Sequence, residues 1–197
     1  RTAHPFLVPK EPYEFSGYVP HVIFPSGALV VGEDLIIYYG AADTTVASAR
    51  VNLLDLVSTL VLETAGSYRF VRAEHNPIIE PIASNQWEAK ATFNPAALEL
   101  GGKIHILYRA LSGDNTSMIG YAASKDGKTV SERLAVPIYS PREDFEIKKI
   151  GGANSGCEDP RLTLIGKTIY MCYTAYDSIG PPRVAATYIS TKDFLDR

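Results

Sequence analysis

The sequence predicts an all-β fold of the propeller type, and three observations carry this prediction. Short runs rich in Val, Ile and Tyr are separated by clusters of Gly, Pro, Asp and Asn, a pattern typical of strands and turns. The chain contains 12 Tyr, 15 Gly and 13 Pro, which fits a turn-rich β structure. The same order of landmarks also recurs about every 65 residues, and a recurring β unit of this size is typical of one propeller blade.

Three landmarks define the repeat and occur in the same order each time. A unit opens with two prolines separated by three residues, continues with an aromatic residue followed by Glu, and reaches a Gly with a Tyr seven positions later. A β-sandwich is the alternative fold, but it would not require these landmarks to recur in order. Unit by unit, the members are Pro5, Pro9, Tyr13, Glu14, Gly32 and Tyr39; Pro77, Pro81, Trp87, Glu88, Gly101 and Tyr108; and Pro137, Pro141, Phe145, Glu146, Gly166 and Tyr173.

Each landmark Gly lies in a predicted hairpin. Two β-rich runs flank Gly-Glu, Gly-Gly or Gly-Lys, and glycine readily adopts the positive φ of tight hairpin turns. A third strand follows in each unit, with the sequences VASARVN, MIGYAASKD and VAATYIST. The sequence therefore predicts about three blades of three or four antiparallel strands.

One segment, residues 51–66, departs from the β pattern. Its Leu and Val residues recur at helical spacing, Asn52 is suited to cap the first turn, and Gly66 is suited to end the helix. We expect one short helix here, which is either an insertion between blades or a linker between two propellers.

Composition and charge exclude several classes of protein. The 197 residues include 19 Lys and Arg against 22 Asp and Glu, so the chain lacks the basic surplus of a nucleic-acid-binding protein. Its apolar runs are too short to span a bilayer, so we expect no membrane segment. Two Cys residues are too few for a disulfide framework and no secretory signal is evident, which predicts a cytoplasmic location. The 4 His residues lack metal-ligand spacing, so we expect no metal site.

Candidate site residues follow from aligning the units on the landmark Gly. Pro25, Asn94 and Asp159 then occupy the same position. Because the inner strands of a propeller converge on its axis, we expect Asn94 and Asp159 to meet in one central pit. Arg109, directly after a landmark Tyr, and Asp43, just beyond the second strand of its hairpin, are further candidates for the rim.

The segment NSGCEDPR, residues 154–161, places several charges beside apolar strands. Glu158, Asp159 and Arg161 fit an acid or base whose ionisation is set by burial and a neighbouring guanidinium. A strand-entry turn with a surface ion pair explains the same residues equally well. For Asp43 and Arg109 the corresponding structural explanations are an Asx turn and a side chain that extends from a strand end to solvent.

Longer segments of the chain resemble glycoside hydrolase family 130. FNPAALELGGKIHILYRA, SMIGYAASKDG, GCEDPRLT and YMCYTAYD resemble the first two blades of that family, and GYVPHVIFPSGALVVGEDLIIYYGAADTTVASA resembles its final blade. The resemblance implies a five-bladed β-propeller, of which about three blades are present. Residues 1–50 would be a last-blade-like segment, residues 51–66 a linker helix, and residues 67–197 the first two blades.

The resemblance also implies a carbohydrate-active enzyme that acts on β-mannosides by inverting phosphorolysis or hydrolysis. Asp159 would be the single general acid, acting on the glycosidic oxygen through the sugar 3-hydroxyl in the phosphorylases, while phosphate attacks the opposite face. Asn94, Arg109 and Asp43 would contact the sugar, with Glu158 and Arg161 flanking the acid. The expected partner is a mannose-containing oligosaccharide, and no cofactor is expected apart from inorganic phosphate as co-substrate.

The order of the resembling segments differs from the family, because the last-blade motif comes first and two middle blades are missing. We expect the chain to be the junction of a longer tandem protein, with Asp43 and Asp159 in different active sites and the isolated chain possessing an incomplete site. The alternative is a half-propeller that assembles as a homo-oligomer; units packed consecutively would instead share one pit. The competing functions are a non-catalytic carbohydrate-binding or assembly module and a scaffold that binds protein partners.

Overall fold

The computed structural model describes residues 5–61 and 69–197, and in them the fold is dominated by β-strands. Three short α-helices and one 3-10 helix, Gln86–Glu88, accompany the strands. In chain order the elements are α1 (Pro12–Phe15), β1 (Ile23–Val31), β2 (Asp34–Ala41), β3 (Thr45–Asn52), α2 (Leu53–Val61), β4 (Val71–Arg72), β5 (Ala91–Leu100), β6 (Lys103–Leu111), β7 (Thr116–Ser124), β8 (Val130–Arg133), β9 (Ser155–Ile165), β10 (Thr168–Tyr176), β11 (Arg183–Ser190) and α3 (Thr191–Leu195).

The strands form three antiparallel units that follow the sequence repeat. The first unit is the sheet β1-β2-β3-β4, the second is β5-β6-β7-β8, and the third is β9-β10-β11. A short parallel contact between β7 and β9, at Thr116 with Ser155 and Ser117 with Gly156, joins the second and third units into one sheet. The three predicted hairpins are all present, and their turn glycines Gly32, Gly101 and Gly166 have φ of 61°, 60° and 61°.

The first strand of every unit carries a β-bulge opposite the landmark tyrosine. Two residues of the first strand lie there against one residue of the second strand. These pairs are Pro25–Ser26 opposite Tyr39, Asn94–Pro95 opposite Tyr108, and Asp159–Pro160 opposite Tyr173. Bulges bend a strand and redirect its side chains, so the position aligned from sequence is also a distinct backbone feature.

The landmark Glu and the landmark Tyr of each unit meet in the interior. The Tyr39 hydroxyl donates to Glu14 at 2.9 Å, and the Tyr108 hydroxyl donates to Glu88 at 2.9 Å. The Tyr173 hydroxyl likewise donates to Glu146. All three carboxylates are fully buried, and a buried carboxylate needs such partners. The repeat seen in the sequence therefore marks a structural contact within each unit.

Apolar clusters between the units hold them side by side. One cluster joins the first and second units and includes Ile36, Tyr38, Val46, Ile104, Ile106, Tyr108 and Ala122. A second cluster joins the second and third units and includes Leu98, Leu107, Ile119, Tyr121, Cys157, Ile169, Met171 and Phe194. Burial of this apolar surface makes the main favourable contribution to the free energy that holds the three units against one another.

The predicted helix is present in part of its expected range. The helix begins at Leu53, and the Asn52 side chain accepts from the backbone N–H groups of Leu54 and Asp55 at 3.0 and 3.1 Å, as an N-cap does. Val51 and Asn52 end β3 rather than begin the helix. The end predicted at Gly66 lies outside the described residues.

Candidate active site

The candidate site lies where the bulges of β5 and β9 meet. Asn94 and Asp159 occupy these bulges with φ of 47° and 53°, a left-handed conformation that is uncommon for residues other than glycine. The Nδ2 of Asn94 donates to Oδ1 of Asp159 at 2.8 Å. The convergence of these two side chains, which the aligned repeat predicts, is therefore present in the structure.

Arg109 of β6 bridges the carboxylates of the site. Its Nη2 lies 2.6 Å from Oε1 of Glu158, and its Nη1 lies 3.4 Å from Oδ1 of Asp159. Only 13% of the Arg109 side chain is exposed, so the guanidinium is committed to these contacts rather than extended into solvent. The sequence alternative of a side chain reaching to solvent does not describe Arg109.

Two further residues hold Arg109, and sequence reasoning missed both. Ser117 of β7 is fully buried; its Oγ accepts from Arg109 Nε at 3.0 Å and lies 3.3 Å from Oε1 of Glu158. The guanidinium also lies over the Phe93 ring, with its carbon 4.8 Å from the ring centroid. A serine within a strand has no sequence feature that marks it as a site residue, so Ser117 could not be predicted. For Phe93, the only indication in the sequence is its position directly before Asn94.

The two carboxylates differ in exposure and environment. Glu158 has 13% of its side chain exposed, against 29% for Asp159. Burial raises the pKa of Glu158, and the nearby Asp159 charge adds to this rise, while the Arg109 guanidinium acts against it. Glu158 is thus engaged by Arg109 and Ser117, whereas Asp159 presents the more accessible carboxylate.

Asp43 lies near Arg109 and Asp159, which favours the alternative in which consecutively packed units share one pit over separate sites. It occupies the turn between β2 and β3 with φ of 49°. Burial raises the pKa of Asp43, the charge of Arg109 opposes this rise, and the charge of Asp159 adds to it. The physical reason is direct packing of the first unit on the second: Ser26 Oγ donates to the Pro95 carbonyl at 2.7 Å.

Arg161 is the predicted site residue that the structure does not bring to a carboxylate. Its Nη1 donates to the backbone carbonyls of Asp159 and Pro160 at 3.3 and 2.8 Å, and its guanidinium lies 6.0 Å from the Phe24 ring centroid. Two residues along a regular strand share one face. The bulge at Asp159 and Pro160 breaks this alternation, so Arg161 diverges from Asp159.

Two glycines permit the close approaches that build the site. A Cβ at Gly156 would lie 2.1 Å from the Ser117 carbonyl oxygen, and the residue has φ of 107°. A Cβ at Gly40 of β2 would lie 2.8 Å from Oδ1 of Asn94. Glycine is needed where backbones approach this closely, so Gly156 brings β9 against β7 and Gly40 leaves room for Asn94.

Within the described ranges, 5–61 and 69–197, no group of three or more His, Cys, Asp or Glu side chains is arranged to hold a metal ion. None of the helices in this part of the chain is long and apolar enough to cross a membrane.

Comparison with known families gives the arrangement a context. A family model described as β-1,4-mannooligosaccharide phosphorylase, glycoside hydrolase family 130, matches residues 1–61 and 69–195. The chain belongs to glycoside hydrolase family 130. This membership, implied by the motifs around Asn94, Arg109 and Asp159, is therefore confirmed.

Two curated family 130 relatives come from Thermoanaerobacter sp. strain X514. A 1,2-β-oligomannan phosphorylase is 37% identical over 112 residues, covering 53% of this chain and 35% of the relative. A β-1,2-mannobiose phosphorylase is 35% identical over 122 residues, covering 55% of this chain and 38% of the relative. The match spans little more than a third of the length of each relative.

Solved structures of glycoside hydrolases are similar to this chain in fold. A glycosyl hydrolase from Bacteroides ovatus has a TM-score of 0.53 at 32% identity, covering 60% of this chain and 37% of that one. A GH32 β-fructofuranosidase from Bombyx mori has a TM-score of 0.60 at 16% identity, covering 85% of this chain and 34% of that one. The all-β, propeller-type fold predicted from the repeat is confirmed.

Proposed function

We propose that this family 130 chain carries the acid and part of the sugar site of a β-mannoside phosphorylase. The observation that carries the proposal is the hydrogen-bonded group of Asn94, Arg109 and Asp159, contributed by two different units. The similarity to a 1,2-β-oligomannan phosphorylase and a β-1,2-mannobiose phosphorylase supports this substrate class.

Each site residue has a proposed role that follows from its contacts. Asp159, the more exposed carboxylate, is the general acid, which acts on the leaving glycosidic oxygen through the 3-hydroxyl of the mannosyl unit. Asn94, Arg109 and Asp43 bind sugar hydroxyls, because amide, guanidinium and carboxylate groups fixed at strand ends suit a hydroxyl-rich ligand. Glu158 holds the guanidinium of Arg109 in place.

Arg161 is proposed to flank the acid only through its hydrogen bonds to the backbone carbonyls of Asp159 and Pro160, with its guanidinium turned towards Phe24. Inorganic phosphate is the proposed co-substrate. Its oxygen forms a bond to the anomeric carbon as the glycosidic C–O bond breaks. The 3-hydroxyl of the mannosyl unit gives its proton to the leaving oxygen and takes the proton of Asp159. The reaction then gives mannose 1-phosphate and the shortened oligosaccharide, with inversion at the anomeric carbon.

The same motifs support a proposal for how the chain is divided and for the larger protein or oligomer that contains it. Residues 1–50 are a last-blade-like segment, residues 51–66 a linker that includes α2, and residues 67–197 two blades, within a longer chain or a homo-oligomer. The five-bladed count and the cytoplasmic location stay predictions.

A non-catalytic carbohydrate-binding module is the second candidate, and one observation favours it. Within residues 5–61 and 69–197, the only cation at ion-pair distance from Glu158 or Asp159 is Arg109, which both carboxylates already engage. A phosphate dianion needs cationic partners of its own. A site that binds mannosides without phosphorolysis is consistent with this arrangement.

Phosphorolysis with inorganic phosphate and either β-1,2- or β-1,4-mannobiose tests the proposal. Asp159→Asn should lower kcat/KM at least ~100-fold, as expected for loss of a general acid. Asp144→Asn, at an exposed residue remote in sequence from the acid, is the matched control and should retain activity. Unchanged activity in Asp159→Asn would exclude its role as the acid. Mannobiose binding without turnover in the unmodified chain would favour the binding module.

A further inference from the structure

The turn between β2 and β3 carries Asp43 in a strained backbone conformation. Ala42 and Asp43 both have φ of 49°, and the Thr44 N–H donates to the Ala41 carbonyl at 3.0 Å. Two successive left-handed residues closed by this bond form a type I′ turn, which favours Gly, Asn and Asp. Alanine adopts the left-handed conformation only at an energetic cost, so contacts outside the turn have to stabilise Ala42.

The loop of residues 17–22 provides these contacts, and we call it the bracing loop. The Val19 N–H donates to the Ala42 carbonyl at 3.1 Å, and the Ala42 N–H donates to the Val22 carbonyl at 2.9 Å. Ala42 itself is fully buried. Both backbone polar groups of the left-handed alanine are therefore bonded to the bracing loop, as buried polar groups require.

Thr44 joins the bracing loop to the turn through its side chain. Its Oγ1 accepts from the Tyr18 N–H at 2.8 Å and donates to the Ala42 carbonyl at 3.0 Å. A hydroxyl has one donor and two acceptor positions, so one group makes both bonds at once. A Cβ at Gly17 would lie 2.4 Å from Thr44 Oγ1 and 2.4 Å from the Ala42 carbonyl oxygen. The loop therefore reaches this hydroxyl only because residue 17 is glycine.

The backbone of Thr44 also ties the turn to the strand that carries Asn94. The Thr92 N–H donates to the Thr44 carbonyl at 2.9 Å, and the Thr92 Oγ1 lies 3.4 Å from the same oxygen. Thr92 is fully buried and lies two residues before Asn94 in β5. Thr44 thus fixes the turn from two sides, with the bracing loop on one and the second unit on the other.

The place of the Asp43 carboxylate is electrostatically unfavourable. Burial raises the pKa of Asp43, the charge of Asp159 adds to this rise, and the charge of Arg109 opposes it. An ionised carboxylate with a raised pKa is more stable in water than in its folded place, so an unrestrained turn would let it move towards solvent. Its position near Asp159 therefore needs a structural restraint, which the bonds of Thr44 supply.

We propose that Thr44 is a positioning residue, whose hydroxyl holds the Asp43 turn against the bracing loop and thereby keeps the Asp43 carboxylate near Arg109 and Asp159. This role rests on the proposed function, since it concerns one of the sugar-binding groups of that site. Every hydrogen bond that supports it is made between residues of the first two units.

The pKa of Asp43 reports its position without any need for catalysis. Carboxyl-carbon NMR follows the titration of Asp43 in the full chain, and Asp43→Asn identifies the signal by its loss. Thr44→Val removes the hydroxyl and keeps the side-chain shape, so it should lower the pKa of Asp43 towards its ordinary value of 3.8. Thr44→Ser keeps the hydroxyl and should retain the raised pKa, which a packing role of the methyl group would not predict.

Thr59→Val is the matched control for loss of a hydroxyl. The Thr59 Oγ1 of α2 donates to the Leu56 carbonyl at 2.7 Å, so this substitution also removes a partly buried hydrogen bond, but away from the turn. It should leave the pKa of Asp43 unchanged. An unchanged pKa in Thr44→Val, or an equal fall in Thr44→Ser or Thr59→Val, would overturn the proposal.

Gly17→Ala tests the same contact from the side of the bracing loop, and it decides the question if Thr44→Val does not fold. Its Cβ would displace the loop from the Thr44 hydroxyl, so the pKa of Asp43 should again fall towards 3.8. Gly113→Ala, with no atom within 4 Å of the added Cβ, is the control. Equal pKa values of Asp43 in these two variants would also overturn the proposal.

Mannoside binding separates the role of Thr44 from the proposed function. Calorimetry with β-1,2-mannobiose should show about 5-fold weaker binding for Thr44→Val, an effect of about one hydrogen bond. In the Asp43→Asn background, Thr44→Val should cause no further loss, as expected for two residues that act as one unit. A further loss of the same size would overturn the proposal. Absence of binding by the unmodified chain would count against the proposed function, and the pKa of Asp43 would still decide the role of Thr44.

Discussion

The Nδ2 of Asn94 lies 2.8 Å from Oδ1 of Asp159, although 65 residues separate them in the chain. Each residue occupies the bulge of the first strand of its own unit, and each has a left-handed backbone. The pair therefore joins the second and third units through equivalent backbone positions. Its geometry depends on the alignment of two sheets, and disturbance of either residue should affect function.

Asn94→Gly is predicted to lower kcat/KM for phosphorolysis by about 10-fold or more, since it removes an amide donor to a carboxylate. Glycine tolerates the left-handed φ of 47° at this position, so the backbone is retained. Asn115→Gly is the control, because Asn115 also has a left-handed φ, of 67°, in the β6–β7 turn. Equal loss of activity in both variants would assign the effect to the backbone instead of the amide.

Gly40→Ala is predicted to displace Asn94 and weaken its bond to Asp159. The new Cβ would lie 2.8 Å from Asn94 Oδ1 and 3.0 Å from its backbone N, so the neighbour must shift. We expect a loss of about 1–3 kcal/mol in the free energy of unfolding, as for other overpacked sites, together with lower kcat/KM. Gly113→Ala has no atom within 4 Å of its Cβ and should change neither quantity. A fully stable and active Gly40→Ala variant would contradict this account.

The contribution of Glu158 to stability is predicted to fall as pH rises. Its pKa in the folded protein is raised above the ordinary value of 4.5, so the folded state binds a proton more tightly than the unfolded state. Above that value, ionisation costs more in the folded state, and the free energy of unfolding decreases with pH. Denaturant unfolding of the wild type and Glu158→Gln from about pH 4 to about pH 7 measures this. The free energy of unfolding of the wild type minus that of Glu158→Gln should decrease as pH rises. An increase would show that the Arg109 charge affects the ionisation of Glu158 more than burial does.

Arg72→Met is predicted to reduce the free energy of unfolding by about 3 kcal/mol or more, because it leaves the buried Glu14 without its cation. The Glu14 side chain is 0% exposed and that of Arg72 is 14% exposed. Arg50→Met breaks the pair with Asp34, whose side chains are 46% and 30% exposed, and should cost at most about 1 kcal/mol. Similar losses of unfolding free energy in the two variants would argue against the buried Glu14–Arg72 ion pair as a stabilising feature.

The repeat could be found in the sequence because its landmarks are distinctive residue types with a structural cause. The aromatic-Glu pair and the Gly-Tyr pair recur because the Glu of one meets the Tyr of the other, as Glu14 meets Tyr39. The convergence of Asn94 and Asp159 followed from the same alignment. The Glu–Tyr contact depends on a single unit, and the Asn94–Asp159 contact depends on equivalent positions of two neighbouring units, so the period of the sequence is enough to predict both.

Other parts of the site depend on how separate units pack, which the periodic pattern does not encode. The place of Asp43 beside Arg109 requires β1 to lie against β5, a relation between sheets rather than within one. Ser117 was missed because its role arises only when Gly156 brings β9 against β7. Arg161 was expected to flank the acid from its adjacency in sequence and from the family resemblance, but the bulge at Asp159 and Pro160 turns its side chain away from the Asp159 carboxylate.

The bulge opposite each landmark tyrosine makes the blade a modular carrier of chemistry. The same backbone position presents a proline ring at Pro25, an amide at Asn94 and a carboxylate at Asp159. Beside each, the Glu–Tyr contact of the unit remains unchanged. Substitution at the bulge can therefore change the side chain that a unit presents there while leaving the Glu–Tyr contact beside it intact.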